Sequence, residues 1–294
     1  RARELLHRII AANGNSPRAE NLLQAIDILD SIEPFQALSL KDKALGNKQY
    51  GLAGRYWLHH ALRLKEDGRK YQSRESLLAL ANEITVEDLP PECLAYVGLE
   101  LTRLDFELGP TILERLVSEY SDSYYTPFAY FGFSIKEANN KEYGHGLGWL
   151  NRMALEAANL PIFVDSMILE GKLRTKVREY GRAQETLEKV LSFRWTSGEE
   201  RTECLLALAA LKHHQGEPEQ AIAYCQRVFT LYPGVVDAAA SAYFQSARHL
   251  AEINESGKAQ KVLEEFIGRS EYRHTEFFEK AKRLLIKLKK KGIV

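Results

Sequence analysis

CLLALAALKHHQG (Cys204–Gly216) followed by EPEQAIAYCQRVFTLYP (Glu217–Pro233) decides how this chain folds. The first stretch repeats apolar residues every three or four positions and closes on a glycine. The second puts Ala221, Cys225 and Val228 on one face and stops at Pro233. Two helices joined by a tight turn follow from that spacing and those breakers. The same hairpin returns every 35–38 residues, at about 1–33, 54–87, 92–125, 127–160, 164–197, 202–235 and 240–273. Stacked hairpins bury their apolar faces against each other, so they predict an extended docking surface rather than one catalytic pocket.

Bulk numbers narrow the classes. Hydrophobic residues make up 45% and charged residues 27% of the 294, the balance of an ordered soluble chain. Forty basic residues cancel forty acidic ones, so nothing steers the whole chain toward nucleic acid. No apolar run approaches the roughly 18–20 residues that span a bilayer. The chain opens at Arg1 without Met and is read as a piece of a longer protein. Cys93, Cys204 and Cys225 are odd in number and widely spaced, which is neither a disulfide framework nor a zinc pattern. They read as small apolar residues.

Breakers punctuate the rest: Asn13-Gly14-Asn15-Ser16-Pro17, Gly68, Pro90-Pro91, Gly109-Pro110, Pro161, Ser197-Gly198, Gly216, Pro233-Gly234 and Gly257. Pro34–Ala53 falls out of phase and predicts one extra helix. The expected organisation is therefore an N-terminal hairpin plus that helix over 1–53, a repeat array over 54–273 and a basic amphipathic capping helix over 274–294. Ser39 with Asp42 and Thr196 with Glu199 suggest capping boxes.

The registers resemble the tetratricopeptide repeat, whose unit of about 34 residues reads W-x2-L-G-x2-Y, then A-x3-F, then A and P. Trp57 opens a unit and Gly68 sits at its turn, with Ser73, Leu77 and Leu80 at the second-helix places. Ala95 and Tyr130 take the opening place of the next two units. Gly171 takes the small-residue place of the following one, ahead of Ala183, Leu187 and Val190. Ala221, Cys225, Val228 and Pro233 continue the pattern, as do Tyr243, Ala247, Ala259, Leu263 and Phe266. The resemblance implies an all-α, right-handed superhelical solenoid of antiparallel helix hairpins with a C-terminal capping helix. LERLVSEYSDS (Leu113–Ser123) and VFTLYPG (Val228–Gly234) also resemble bacterial cell-envelope assembly proteins of this class, although Ser121 and Trp195 replace the helix-ending proline in two units. Periplasm and cytoplasm both stay open as compartments.

Few constellations carry chemistry. Gly144, Gly146 and Gly148 mimic a phosphate loop, but no strand precedes them. His59-His60 and His213-His214 are adjacent, and neighbours on a helix point about 100° apart and cannot share a metal, so each pair reads as one face-lining and one packing histidine. No nucleophile elbow, zinc-protease motif or Walker loop occurs. The reading is a non-enzyme with no cofactor and no metal. Phe277–Lys291 carries seven basic residues and one acidic, around a stripe of Phe277, Ala281, Leu284, Leu285 and Leu288. That is a cap with a wet outer face, able also to touch an acidic surface weakly.

In the family this chain resembles, the first helix of each hairpin lines the inner face. Carried over by register, the partner-binding groove is Leu58, Leu62, Tyr96, Glu100, Arg103, Phe128, Phe131, Ile135, Ile168, Lys172, Lys176, Leu206, His213, His214, Phe244, Gln245 and Arg248. Phe128 and Phe131 suit either packing or peptide anchoring. The family's carboxylate clamp is missing, since Ile168, Leu206 and Phe244 replace its polar donors; this argues against chaperone-type acidic tails. The expected function is a non-catalytic scaffold that binds a protein or peptide segment in the concave groove. The alternative is a regulatory or substrate-docking domain of a larger enzyme or assembly. No nucleic acid or transmembrane segment is expected, and a homo-oligomer stays open.

Overall fold

A computed structural model describes residues 2–14, 16, 21–32, 37–154 and 160–291. Asn15, Pro17 and Pro34, read above as breakers or as the start of the extra helix, lie outside the described residues. The chain divides into two compact units, Arg1–Ala158 and Asn159–Val294. All regular structure among the described residues is helical. The first unit holds α1 (Ala2–Asn13), α2 (Leu22–Ile32), α3 (Ala37–Gly46) and three hairpins: α4/α5 (Tyr50–Glu66, Lys70–Glu83), α6/α7 (Pro91–Arg103, Leu108–Glu119) and α8/α9 (Thr126–Asn139, Tyr143–Ala154). The second holds α10/α11 (Phe163–Lys176, Tyr180–Ser192), α12/α13 (Gly198–His214, Pro218–Leu231), α14/α15 (Val236–Glu252, Ser256–Gly268) and α16 (Phe277–Lys291). The extra helix exists as α3, but α4 begins at Tyr50, four residues before the expected start.

One turn recurs in every hairpin. Its central residue adopts a left-handed backbone: Asp105, Lys141, Arg178 and Asn254 at φ 62–66°, Gly68 at 76° and Gly216 at 78°. The following amide reaches back over the helix end, as in Arg69 N to Leu64 O at 2.8 Å and Glu217 N to Lys212 O at 2.9 Å. This closes two orphan carbonyls and reverses the chain in three residues. The sequence marks the turn by glycine only twice. Gly109 and Gly257, read as turn breakers, instead lie inside α7 and α15. Gly109 is a notch: a Cβ there would sit 2.4 Å from the Thr102 backbone nitrogen.

Close approach between helices follows the small residues. A Cβ on Gly171 of α10 would fall 2.5 Å from Cγ of Leu187 on α11. In the first unit a single leucine, Leu113 of α7, fills two notches. A Cβ on Gly98 of α6 would lie 2.8 Å from its Cγ, and one on Gly132 of α8 2.2 Å from its Cδ1. Ala183, Leu187, Val190, Ala221, Cys225, Val228, Ala259, Leu263 and Phe266 are all fully buried, which is the pattern the repeat register predicts. In the second unit Tyr243 stacks on Phe229 at 3.9 Å and packs against Phe266 and Tyr272. The α16 stripe closes that core through Phe278, Ala281 and Leu288, while Phe277, Leu284 and Leu285 are half-buried against it.

The first unit also carries a fully buried ion pair. Arg55 Nε of α4 donates to Glu92 Oε1 of α6. Its Nη1 donates to Gly14 O at 2.7 Å and its Nη2 to Ser16 O at 2.8 Å. One guanidinium thus ties the segment after α1 to two hairpins. The expected capping box is shifted by one residue: Glu200 N donates to Ser197 Oγ at 3.2 Å, and Ser197 N to Glu200 Oε2 at 2.7 Å. Thr196 turns the other way and donates to Phe193 O at 2.9 Å, at the end of the preceding helix. Ser39 lies within α3 and cannot cap it.

Two stability outcomes test this packing. Gly171→Ala lowers the free energy of unfolding by about 1–3 kcal/mol, because its methyl overpacks Leu187. Gly181→Ala, on α11 with nothing within 4 Å of its new Cβ, raises it by about 0.5–1 kcal/mol. Denaturant midpoints followed by circular dichroism separate the two, and a Gly171 variant no weaker than the parent contradicts the notch. Glu92→Leu strands the Arg55 charge in the core and costs about 3–5 kcal/mol. The same titration reads it, and a loss under about 1 kcal/mol contradicts a role for the pair in stability.

Candidate partner-binding site

Each unit presents its first-helix residues separately. In the first unit the structure buries Leu58 (0%), Phe128 (0%) and Phe131 (3%). Helix packing has claimed these side chains, so they line the core rather than a groove. Phe128 packs against Tyr96 at 5.0 Å and Tyr125 at 5.8 Å. Tyr96 is half-buried, and desolvation pushes its hydroxyl up to about 12, so it stays a neutral hydrogen-bonding group near neutrality. Glu100 accepts from Arg74 at 2.6 Å, and Arg103 lies over the Phe131 ring at 5.7 Å. Ile135 is half-buried. Leu62 opens onto a cleft of about 570 Å³ between α2, α4 and the Tyr124-Tyr125 corner. The charges around that cleft are largely matched. Arg63 pairs with Glu66 at 3.1 Å, and His59 lies 3.3 Å from Asp30.

In the second unit Ile168 is buried (1%), so it too belongs to the core. Leu206 is half-buried. Lys172 reaches Glu203 of α12 at 2.6 Å, which cancels its charge across the hairpins. Lys176 is exposed, and its charge helps burial to lower the pKa of His214. The remaining five expected residues converge. His213, His214, Phe244, Gln245 and Arg248 line one cleft of about 360 Å³ together with Ala210, Ser241, His249, Phe277 and Lys280. Phe244 packs on Phe277 of α16 at 5.9 Å, and Lys280 Nζ sits 4.9 Å over the Phe277 ring. The lining itself holds no carboxylate, but Glu252 pairs with Arg248 Nη2 at 3.6 Å and Glu276 with Lys280 Nζ at 3.0 Å beside it. Burial lowers the pKa of His249 against the opposing pull of Glu252.

Sequence reasoning missed the contribution of α16 to this cleft and missed His249 altogether. The only available signal was the amphipathic stripe, which marks Phe277 as packing but does not say against what. The adjacent histidines remain unable to share a ligand with each other. His213 instead meets His249 of the next hairpin, with ring centroids 4.4 Å apart.

The cysteines conform to their bland reading. All three are free and buried, and burial raises each thiol, Cys204 and Cys225 to about 12, so none is a thiolate near neutrality. Cys204 Sγ donates to Leu187 O at 3.1 Å. Gly144 and Gly148 would meet nothing on gaining a Cβ, so that run is an ordinary helix start rather than a cradle. No helix among the described residues is long and apolar enough to cross a membrane.

No family model and no curated protein matches the chain. Solved structures do. A chain of the Cut9–Hcn1 hetero-tetramer of the APC/C aligns over 82% of this chain with TM-score 0.51 and 16% identity. This chain spans about half (48%) of that one. Human IFIT1, solved as a dimer with PPP-AAAA, aligns over 96% of this chain and 67% of its own, with TM-score 0.50 and 13% identity. A tetratricopeptide repeat protein from Parabacteroides merdae aligns over 78% of this chain and 85% of its own, with TM-score 0.45 and 17% identity. The first two show the fold: an all-α solenoid of tetratricopeptide-like hairpins.

Proposed function

We propose that this chain is a non-catalytic interaction scaffold whose second-unit cleft holds an extended acidic segment of a partner protein. The observation that carries this reading is the cleft's lining. Phe244 and Phe277 supply apolar and aromatic anchors, and Arg248 and Lys280 bring cations whose present partners, Glu252 at 3.6 Å and Glu276 at 3.0 Å, are same-helix neighbours that a partner's carboxylates can replace. Aromatic and arginine side chains in a recess are the residues from which binding hot spots are built. The first-unit cleft has both signs in its lining, Asp27 and Glu66 beside Arg63, and so offers shape without a preferred sign. A segment held along its length by cations does not need the carboxylate clamp that Ile168, Leu206 and Phe244 rule out. Cut9–Hcn1 and the IFIT1 dimer are assemblies, and the shared fold makes association a reasonable role here. The envelope-type wording at Leu113–Ser123 and Val228–Gly234 directs the search for a partner toward bacterial envelope-assembly proteins.

A peptide display library selected on the whole chain tests this. The enriched sequences are expected to pair acidic with aromatic or aliphatic residues. The Arg248→Ala/Lys280→Ala double variant weakens the best peptide by about 1–2 kcal/mol at an unchanged melting temperature, and Phe244→Ala weakens it by a similar amount while lowering the melting temperature through its lost packing on Phe277. Added salt weakens binding to the parent more than to the double variant. Peptides without acidic bias, or equal binding by the variants, overturn the reading.

A further inference from the structure

We propose that His213, His249 and Glu252 form a binding site for a transition-metal dication of the zinc class at the edge of the second-unit cleft. Their ligating atoms all lie within 4.8 Å of one another. His249 Nδ1 is 3.2 Å and His213 Nδ1 3.6 Å from the same oxygen, Glu252 Oε2. An ion with bonds of about 2.0–2.1 Å in tetrahedral geometry needs donors roughly 3.3–3.4 Å apart. The two His–Glu separations straddle that spacing, and the imidazole donors lie within 4.8 Å of each other, so side-chain rotations that draw the two rings together close the site.

The donor chemistry selects the ion. Two imidazoles and one carboxylate suit zinc, cobalt or nickel, whereas calcium and magnesium demand oxygen ligands throughout. The surroundings orient the donors as well. Arg248 Nη2 lies 3.6 Å from the other carboxylate oxygen, Oε1, which leaves Oε2 to the rings. The His249 side chain is only 7% exposed, which limits its rotamers, while His213 and Glu252 are each 41% exposed and leave an entry path. Three protein ligands leave at least one position open toward the cleft, where water fits. His249 and Glu252 are one turn apart on α14, and α12 supplies the third ligand, so the site exists only when the two hairpins stack. Zinc uptake does not depend on the peptide reading and can succeed or fail without it.

Equilibrium dialysis and calorimetric titration of the whole, chelator-stripped chain with zinc chloride test the proposal. Cobalt substitution adds a visible d–d band as a second readout. The expected result is saturable uptake of one zinc per chain and none of magnesium. His213→Ala, at an exposed position, and the isosteric Glu252→Gln each weaken zinc by at least about tenfold, the loss that even an outer-shell partner's removal can produce. His145→Ala, an exposed histidine in the first unit, leaves it unchanged. Absence of saturable uptake overturns the site, as does zinc affinity that is equal in His213→Ala, Glu252→Gln and the parent. Circular dichroism of each variant confirms that the fold is retained.

Discussion

Close contact between paired helices at glycine and alanine notches is the constraint on which the rest of this structure depends. Leu113 enters Gly98 on one side and Gly132 on the other; Leu187 enters Gly171. A large side chain seated in a notch fixes both the distance and the rotation of the two helices. The repeated left-handed turn then fixes where the second helix starts. With both set, the two helices of a hairpin form one unit against which the next hairpin packs. The core is consequently a chain of local clusters rather than one central mass.

The first unit needs more than that rule. Its opening segment departs from the register, and α3 packs as an additional helix against α4. The buried Arg55–Glu92 pair stands at this irregular point. The guanidinium satisfies two backbone carbonyls, at Gly14 and Ser16, that no regular helix bond reaches. Desolvating such a pair is expensive, and its attraction with hydrogen bonds roughly offsets the cost. What it provides is a fixed geometry where periodic packing does not specify one. The second unit uses aromatic stacking around Tyr243, with α16 covering the last hairpin.

The proposed binding role rests on what the packing leaves over. First-helix residues that point at a partner helix were absorbed as core: Leu58, Phe128, Phe131 and Ile168. In the second unit His213, His214, Phe244, Gln245 and Arg248 stay outside the core and meet residues of α16. Apolar anchors and cations become concentrated in one cleft because three separate elements contribute to it. The same stacking brings imidazoles from α12 and α14 face to face. Neither arrangement resides in any one repeat, so an isolated hairpin would carry neither.

The sequence alone determined the helix content, the hairpin spacing, the buried faces at Ala183–Val190, Ala221–Val228 and Ala259–Phe266, and the class of the fold. These are periodic local signals, and apolar spacing with breakers reports them directly. It did not reveal the left-handed turns at Asp105, Lys141, Arg178 and Asn254, because their conformation is imposed by the helices they join rather than chosen by the residue. Nor could it tell Phe128 from Phe244, since packing and binding call for the same residue types and burial depends on neighbours far along the chain. The meeting of His213 with His249 was likewise invisible: their separation matches no ligand motif, and only the crossing of stacked helices brings them within reach. Tertiary structure decided those points, because a side chain's exposure and partners are set by the elements that arrive from elsewhere.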